Sequence, residues 1–198
     1  MTYTTQTSPQ MPGTSDPAPA GRARIIIREI TETFLAAFFL FLAVNLLTAR
    51  IRVEGSSMEP SLHDGEFVVI NRLAYRWENV QRGDIVVFHY PLDPERRFIK
   101  RVVGLPGDEV RVVDGEVFVN GDLLDEPYLA ADPRYEGQWL VETGSVFVLG
   151  DNRNNSSDSQ NWGNLPETEI IGKAILIYWP LEELSIIPHF DLVAAAGK

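Results

Sequence analysis

Residues 25–47 form a largely apolar run of 23, and no other stretch limits the possible architectures as tightly. As a helix it would extend about 35 Å at ~1.5 Å per residue, enough to cross a hydrocarbon core of ~30 Å. The run is not uniform. Arg28, Glu29 and Glu32 interrupt its first turns, leaving a clean stretch from Thr33 to Leu47 with Asn45 inside it. A transmembrane helix whose charged first turns sit among lipid headgroups accounts for that pattern. A cleaved leader has the same basic start and apolar middle, but Leu47-Thr48-Ala49-Arg50 offers no small-x-small cleavage site. A soluble buried helix is the third alternative. The expectation is an anchor over residues 22–49.

Charge supports an orientation. Residues 1–52 carry five Arg against Asp16, Glu29 and Glu32, although the chain as a whole has a net charge of −11. A basic flank before an apolar helix fits a cytoplasmic amino end, with the remainder outside the cytoplasm at the cell membrane. The strongly acidic remainder argues against nucleic acid as a partner. Residues 1–21, rich in Thr, Ser, Pro and Gly, read as a disordered cytoplasmic tail. There is no cysteine, so disulfides and thiolate metal sites are excluded and the redox compartment is left open.

After Arg50 the pattern changes to short β-type runs between turn residues, over 67–71, 85–89, 97–103, 109–113, 116–120, 145–149 and 173–179. Asp114-Gly115 and Asn120-Gly121 are hairpin turns, because the favoured two-residue turns need positive φ at their centre. The fold class expected is mainly β: an irregular antiparallel sandwich or barrel over residues 50–198, preceded by one helix. A small excursion is expected near 105–144, with turn-rich sequence from 123 to 144. There are no internal repeats.

Chemistry concentrates in three patches. Gly55-Ser56-Ser57-Met58-Glu59-Pro60-Ser61-Leu62 sets a serine on a Gly/Pro-bounded turn, where Gly55 leaves space for a carbonyl to approach. A serine hydroxyl is a poor nucleophile until a base takes its proton. Phe98-Ile99-Lys100-Arg101-Val102-Val103-Gly104 sets a lysine inside an apolar strand, on one face with Phe98 and Val102. Only three lysines occur, Lys100, Lys173 and Lys198, against fourteen arginines. Arginine keeps its proton in proteins, whereas a desolvated lysine can become a neutral base. The bland alternative is a snorkelling lysine.

The third patch, Gly150-Asp151-Asn152-Arg153-Asn154-Asn155-Ser156-Ser157-Asp158-Ser159, is either a solvated loop or a hydrogen-bond scaffold pressed against a site. Its two glycosylation sequons are discounted as chance matches, and Arg82-Gly83-Asp84 reads as a tight turn. His63 lies close enough in sequence to Ser57 to offer a Ser–His alternative. No phosphate-binding loop or metal-ligand spacing stands out, so no cofactor and no metal are expected.

These patches, in this order behind an apolar segment, resemble bacterial type I signal peptidases, the Ser–Lys membrane proteases that remove signal peptides. The likeness covers residues 30–179. It implies Ser57 as nucleophile and Lys100 as general base, with Arg82 to Phe88 as a structural strand. It further implies Ser156 as the hydroxyl that orients the lysine, with Gly55 and Asp158 as supporting groups. Gly55 stands where some members have a serine that donates to the oxyanion, leaving the Ser57 backbone N–H as the main donor. Asn154 replaces a common Asp and Gln160 a common Arg. The implied partners are signal-peptide-bearing precursor proteins and a phospholipid membrane. The implied substrate docks as an added strand, with small residues in shallow apolar pockets.

Overall fold

A computed structural model describes residues 19–190 and Leu192. The tail expected over 1–21 lies, up to residue 18, outside the described residues. The described chain separates into two units, one ending at Val44 and the other starting at Asn45.

Helix α1 spans Pro19–Leu47. After Gly21 no Gly or Pro interrupts it, and its Leu, Ala and Phe residues are compatible with continuous helix. The hydroxyls of Thr31 and Thr33 donate at 2.8 Å to the carbonyls of Ile27 and Glu29, one turn back. Arg28 pairs with Glu32 across one turn. The 24 residues Arg24–Leu47 are long and apolar enough to cross a membrane, and none of their window is buried by protein.

The second unit is mainly antiparallel β, as the alternating runs predict. Strands β1 (Thr48–Arg52), β2 (Phe67–Asn71), β3 (Ile85–Tyr90) and β4 (Asp93–Gly104) come first. They are followed by β5 (Glu109–Val113), β6 (Glu116–Val119), β7 (Asp122–Leu123) and β8 (Gly137–Leu140). The last are β9 (Ser145–Leu149), β10 (Leu165–Pro166), β11 (Ile170–Trp179) and β12 (Ser185–Ile186). The larger sheet runs β1-β2-β11-β3-β4-β9-β10, with β12 paired to β11; the smaller runs β7-β6-β5-β8. All seven expected strands are present. The region of the expected excursion contains the whole second sheet, whose hairpins turn at Asp114 (φ 50) and Asn120 (φ 56), each followed by a positive-φ glycine.

Burial explains the arrangement. β5 alternates exposed and buried residues, so one face is solvated, whereas all of β9 and the last six residues of β4 are buried. Ile85, Val87 and Ile99 join one apolar cluster with Met58, Leu62, Val68 and Ile70. Val86, Phe88 and Val102 join another with Val146, Val148 and Leu165. The period of two thus sends alternate side chains of β3 and β4 into different cores.

Candidate active site

Sheet register brings the three patches together. On β4, Lys100 lies opposite Val86 of β3. On its other edge, Arg101 lies opposite Leu149, the last residue of β9, so the chain leaves β9 into Gly150 beside the lysine. Ser57 arrives on the connection between β1 and β2. That connection is closed at its base by Val53 N–H to Glu66 O (2.7 Å) and Gly65 N–H to Val53 O (3.0 Å). Met58 and Leu62 plug it into the core. The apolar residues of the serine patch thus hold the turn down while Ser57 stays half-buried at the surface.

The 150–159 loop clamps the same turn. Asn152 N–H donates to Ser57 O (3.1 Å), Asn152 Nδ2 to Ser56 O (3.1 Å) and Asn155 Nδ2 to Ser56 Oγ (2.9 Å). Close approach requires glycine at the head of this loop: a Cβ on Gly150 would lie 2.3 Å from Ser156 Oγ and 2.5 Å from Ser57 O. The loop is held from behind by a buried bidentate pair, Arg101 to Asp151 at 2.9 and 2.7 Å. Arg153 pairs with Glu126, joining the loop to the region of the second sheet. Asn154 accepts from Arg134 N–H (2.8 Å) and donates to Asp132 O (2.9 Å), a double role that an Asp could not fill.

At the centre, Lys100 Nζ lies 2.7 Å from Ser57 Oγ and 2.9 Å from Ile99 O. The lysine is 4% exposed, with its amine 5.5 Å from the centroid of the Phe98 ring. Burial pushes its pKa down to about 8, against the upward pull of Asp158 and Asp151. Roughly one-tenth of such an amine is neutral at pH 7, from the tenfold-per-unit relation. Asp158 is fully buried, and desolvation raises its pKa. Hydrogen bonds from Gly150 and Gln160 N–H, the nearby Ser156 hydroxyl and the charge of Lys100 all oppose that rise. Asp158 also caps the short helix α2 (Ser159–Trp162), with Asn161 completing the capping box.

The remaining expected site residues fall as follows. Ser156 Oγ is buried close enough to Asp158 to lower its pKa, but meets no partner in good hydrogen-bond geometry, and it makes no direct bond to Lys100. Gly55 (φ 81) donates its N–H to Asp64 Oδ1 at 2.8 Å, and nothing lies within 4 Å of where its Cβ would be. His63 pairs with Glu66. Asp84 of the Arg82-Gly83-Asp84 turn is buried and bonded to Tyr75 and Gln81. Sequence reasoning assigned no individual roles to Asn152, Asn155 or the Arg101–Asp151 pair; the Asn-rich composition of the loop was their one signal.

A groove of about 670 Å³ opens at Ser57 and Lys100 and is lined by residues 50–52, Glu54 and residues 95–99. Both walls present strand edges. Among the described residues, β1 pairs only with β2, and β4 meets β9 only from Arg101 onward.

Comparison with known proteins defines the class, which is that of a serine peptidase. Residues 26–179 match the family model described as signal peptidase, peptidase S26. A probable signal peptidase I-2 of Synechocystis sp. is 42% identical over 80% of this chain and 76% of its own length. A signal peptidase I of Leptolyngbya laminosa is 37% identical over 91% of this chain and 92% of its own. One from Pseudomonas fluorescens is 33% identical over 85% and 78%. The chain belongs to the type I signal peptidases of the S26 family. Its activity is that of signal peptidase I, and its substrates are signal-peptide-bearing preproteins.

Proposed function

We propose that Ser57 and Lys100 form the catalytic dyad of this signal peptidase. The 2.7 Å approach of a buried amine to the serine hydroxyl carries that reading. Neutral Lys100 takes the Ser57 proton as Oγ bonds to the scissile carbonyl carbon. The tetrahedral intermediate collapses as the C–N bond breaks and the lysine ammonium gives its proton to the leaving amine. An acyl ester remains on Ser57. Water, deprotonated by the same amine, then attacks the ester; Ser57 regains its proton as the new carboxyl group departs. The Ser57 backbone N–H is the oxyanion donor, since Gly55 N–H is committed to Asp64. Asp158 holds the lysine through its charge, and Ser156 is the adjacent orienting hydroxyl.

The free edges of β1 and β4 suit an extended substrate added as a strand between them, with main-chain hydrogen bonds giving affinity. Anchoring follows from α1, whose stretch Arg24–Leu47 is long and apolar enough to cross a membrane and is exposed rather than buried by protein. The basic amino end supports a topology with the tail in the cytoplasm and the catalytic unit outside it.

Side-by-side cleavage of a signal-peptide-bearing precursor tests the dyad. Wild type cleaves, while Ser57→Ala and Lys100→Met do not; retained cleavage by either overturns the assignment. Fractionation of cells should find the full chain in membranes, with the β unit open to protease only from outside the cytoplasm. Recovery as a soluble cytoplasmic protein overturns the topology.

A further inference from the structure

The residues matching the family end at 179, yet the chain beyond them returns to the back of the site. Three contacts fix it there. His189 Nδ1 lies 3.1 Å from Asp84 Oδ1. The backbone at Phe190 lies so close to Gly83 (φ 93) that a Cβ there would be 1.9 Å from Phe190 O. Leu192 is buried in the core of the second sheet. The Phe190 ring packs against Tyr128 at 5.4 Å, and the fully buried Arg101 guanidinium lies 3.9 Å from the Tyr128 centroid and 5.3 Å from that of Phe190. Arg101 is thereby held in an aromatic slot while it binds Asp151 bidentately, Gly83 O at 2.9 Å and Ser61 Oγ at 3.3 Å.

We propose that this C-terminal segment is a positioning strap for the dyad: Phe190 closes the slot that keeps Arg101 on Asp151, and so keeps the charge of Asp151 compensated beside Lys100. The proposal rests on the reading of Lys100 as base. The groups facing the amine are Ser57, Ile99 O and the Phe98 ring, with Asp158 and Asp151 acting through charge. Of these, the charge of Asp151 is the one that depends on Arg101. A guanidinium without one wall of its slot hydrates and loosens, the carboxylate of Asp151 then acts more strongly on the amine, and Lys100 holds its proton to higher pH.

The test uses the full chain in detergent with a signal-peptide-bearing precursor, following kcat/KM against pH and thermal stability. Phe190→Ala should move the rising limb of the profile, which follows deprotonation of Lys100, to higher pH by roughly half a unit or more, lowering kcat/KM about threefold at pH 7. Activity should recover toward the wild-type level above the limb, which a loss of folded protein would not produce. Phe190→Tyr keeps an aromatic face and should restore the wild-type profile. Val112→Ala, which loosens the same core away from Arg101, should lower the melting temperature and leave the limb in place. The strap is overturned if Phe190→Ala leaves the limb unmoved, or if Val112→Ala moves it equally. A wild-type profile with no rising limb, together with cleavage by Lys100→Met, overturns the dyad reading as well.

Discussion

Two lysines lie opposite the same residue. Val86 of β3 has Lys100 across from it on β4 and Lys173 across from it on β11. Lys173 extends to Asp84 at 2.5 Å and keeps its side chain 28% exposed. Lys100 is 4% exposed and meets a hydroxyl and a carbonyl instead of a carboxylate. One strand's separation therefore distinguishes a structural cation from a candidate base. A direct carboxylate partner favours the ammonium, whereas burial among apolar groups disfavours it. Having lysine at both positions says little; the partner decides what each can do.

The largest effect expected from this contrast is on catalysis. Lys100→Arg keeps the charge but cannot deprotonate, so precursor cleavage should fall at least ~10²-fold, the lower end for losing a general base. Lys173→Arg keeps its pairing with Asp84 and should cleave at close to the wild-type rate. Equal losses in a single-turnover assay would end the distinction.

Stability should separate the two lysines with opposite signs. The folded pKa of Lys100, about 8, lies below its ordinary value of 10.5. Between those values the unfolded chain binds more protons, so stability rises with pH there. The penalty for burying Lys100 is complete below about pH 8 and is relieved as pH rises toward 10.5. Denaturant titration should show Lys100→Met no less stable than wild type at pH 7, with any advantage, at most about 3 kcal/mol, shrinking toward alkaline pH. Lys173→Met should instead lose about 1–3 kcal/mol, because it takes a cation from the buried Asp84 carboxylate. A Lys100→Met domain destabilised as much as Lys173→Met would show that Lys100 is held as a stabilising cation.

The smallest effect tests the clamp that sets Lys100 apart. Asn154→Asp removes the donor to Asp132 O and should cost about 0.5–1.5 kcal/mol, the usual net value of one hydrogen bond. Precursor cleavage at pH 7 should change little. A large catalytic loss with unchanged stability would give Asn154 a direct part in the site.

Much of this was legible along the chain because local periodicity carries it. The alternating runs marked the major strands, and Asp114-Gly115 and Asn120-Gly121 marked their turns. β1 was not anticipated: Thr48 and Ala49 continue an apolar pattern, and only pairing with Asn71 and Ile70 makes them strand. The short strands β7, β8, β10 and β12 carry too few residues for a period to appear. At the site, the Gly/Pro-bounded serine and the lysine among apolar neighbours were visible, along with a polar loop suited to scaffolding. Its partners were not, since Arg101 and Asp151 are separated by 50 residues and Arg153 and Glu126 by 27.

The sequence by itself determined an apolar helix, a β grammar and one serine and one lysine suited to reaction, because residue type and spacing fix those properties locally. The tertiary structure decided which lysine is buried against a serine hydroxyl and which reaches a carboxylate. It did so by register: β3 sets Lys100 and Lys173 on either side of Val86, the end of β9 delivers the Gly150 loop, and folding leaves Asp84 beside only one of the two amines. Desolvation and charge pairing depend on distances between elements remote in sequence, so no local pattern could fix them.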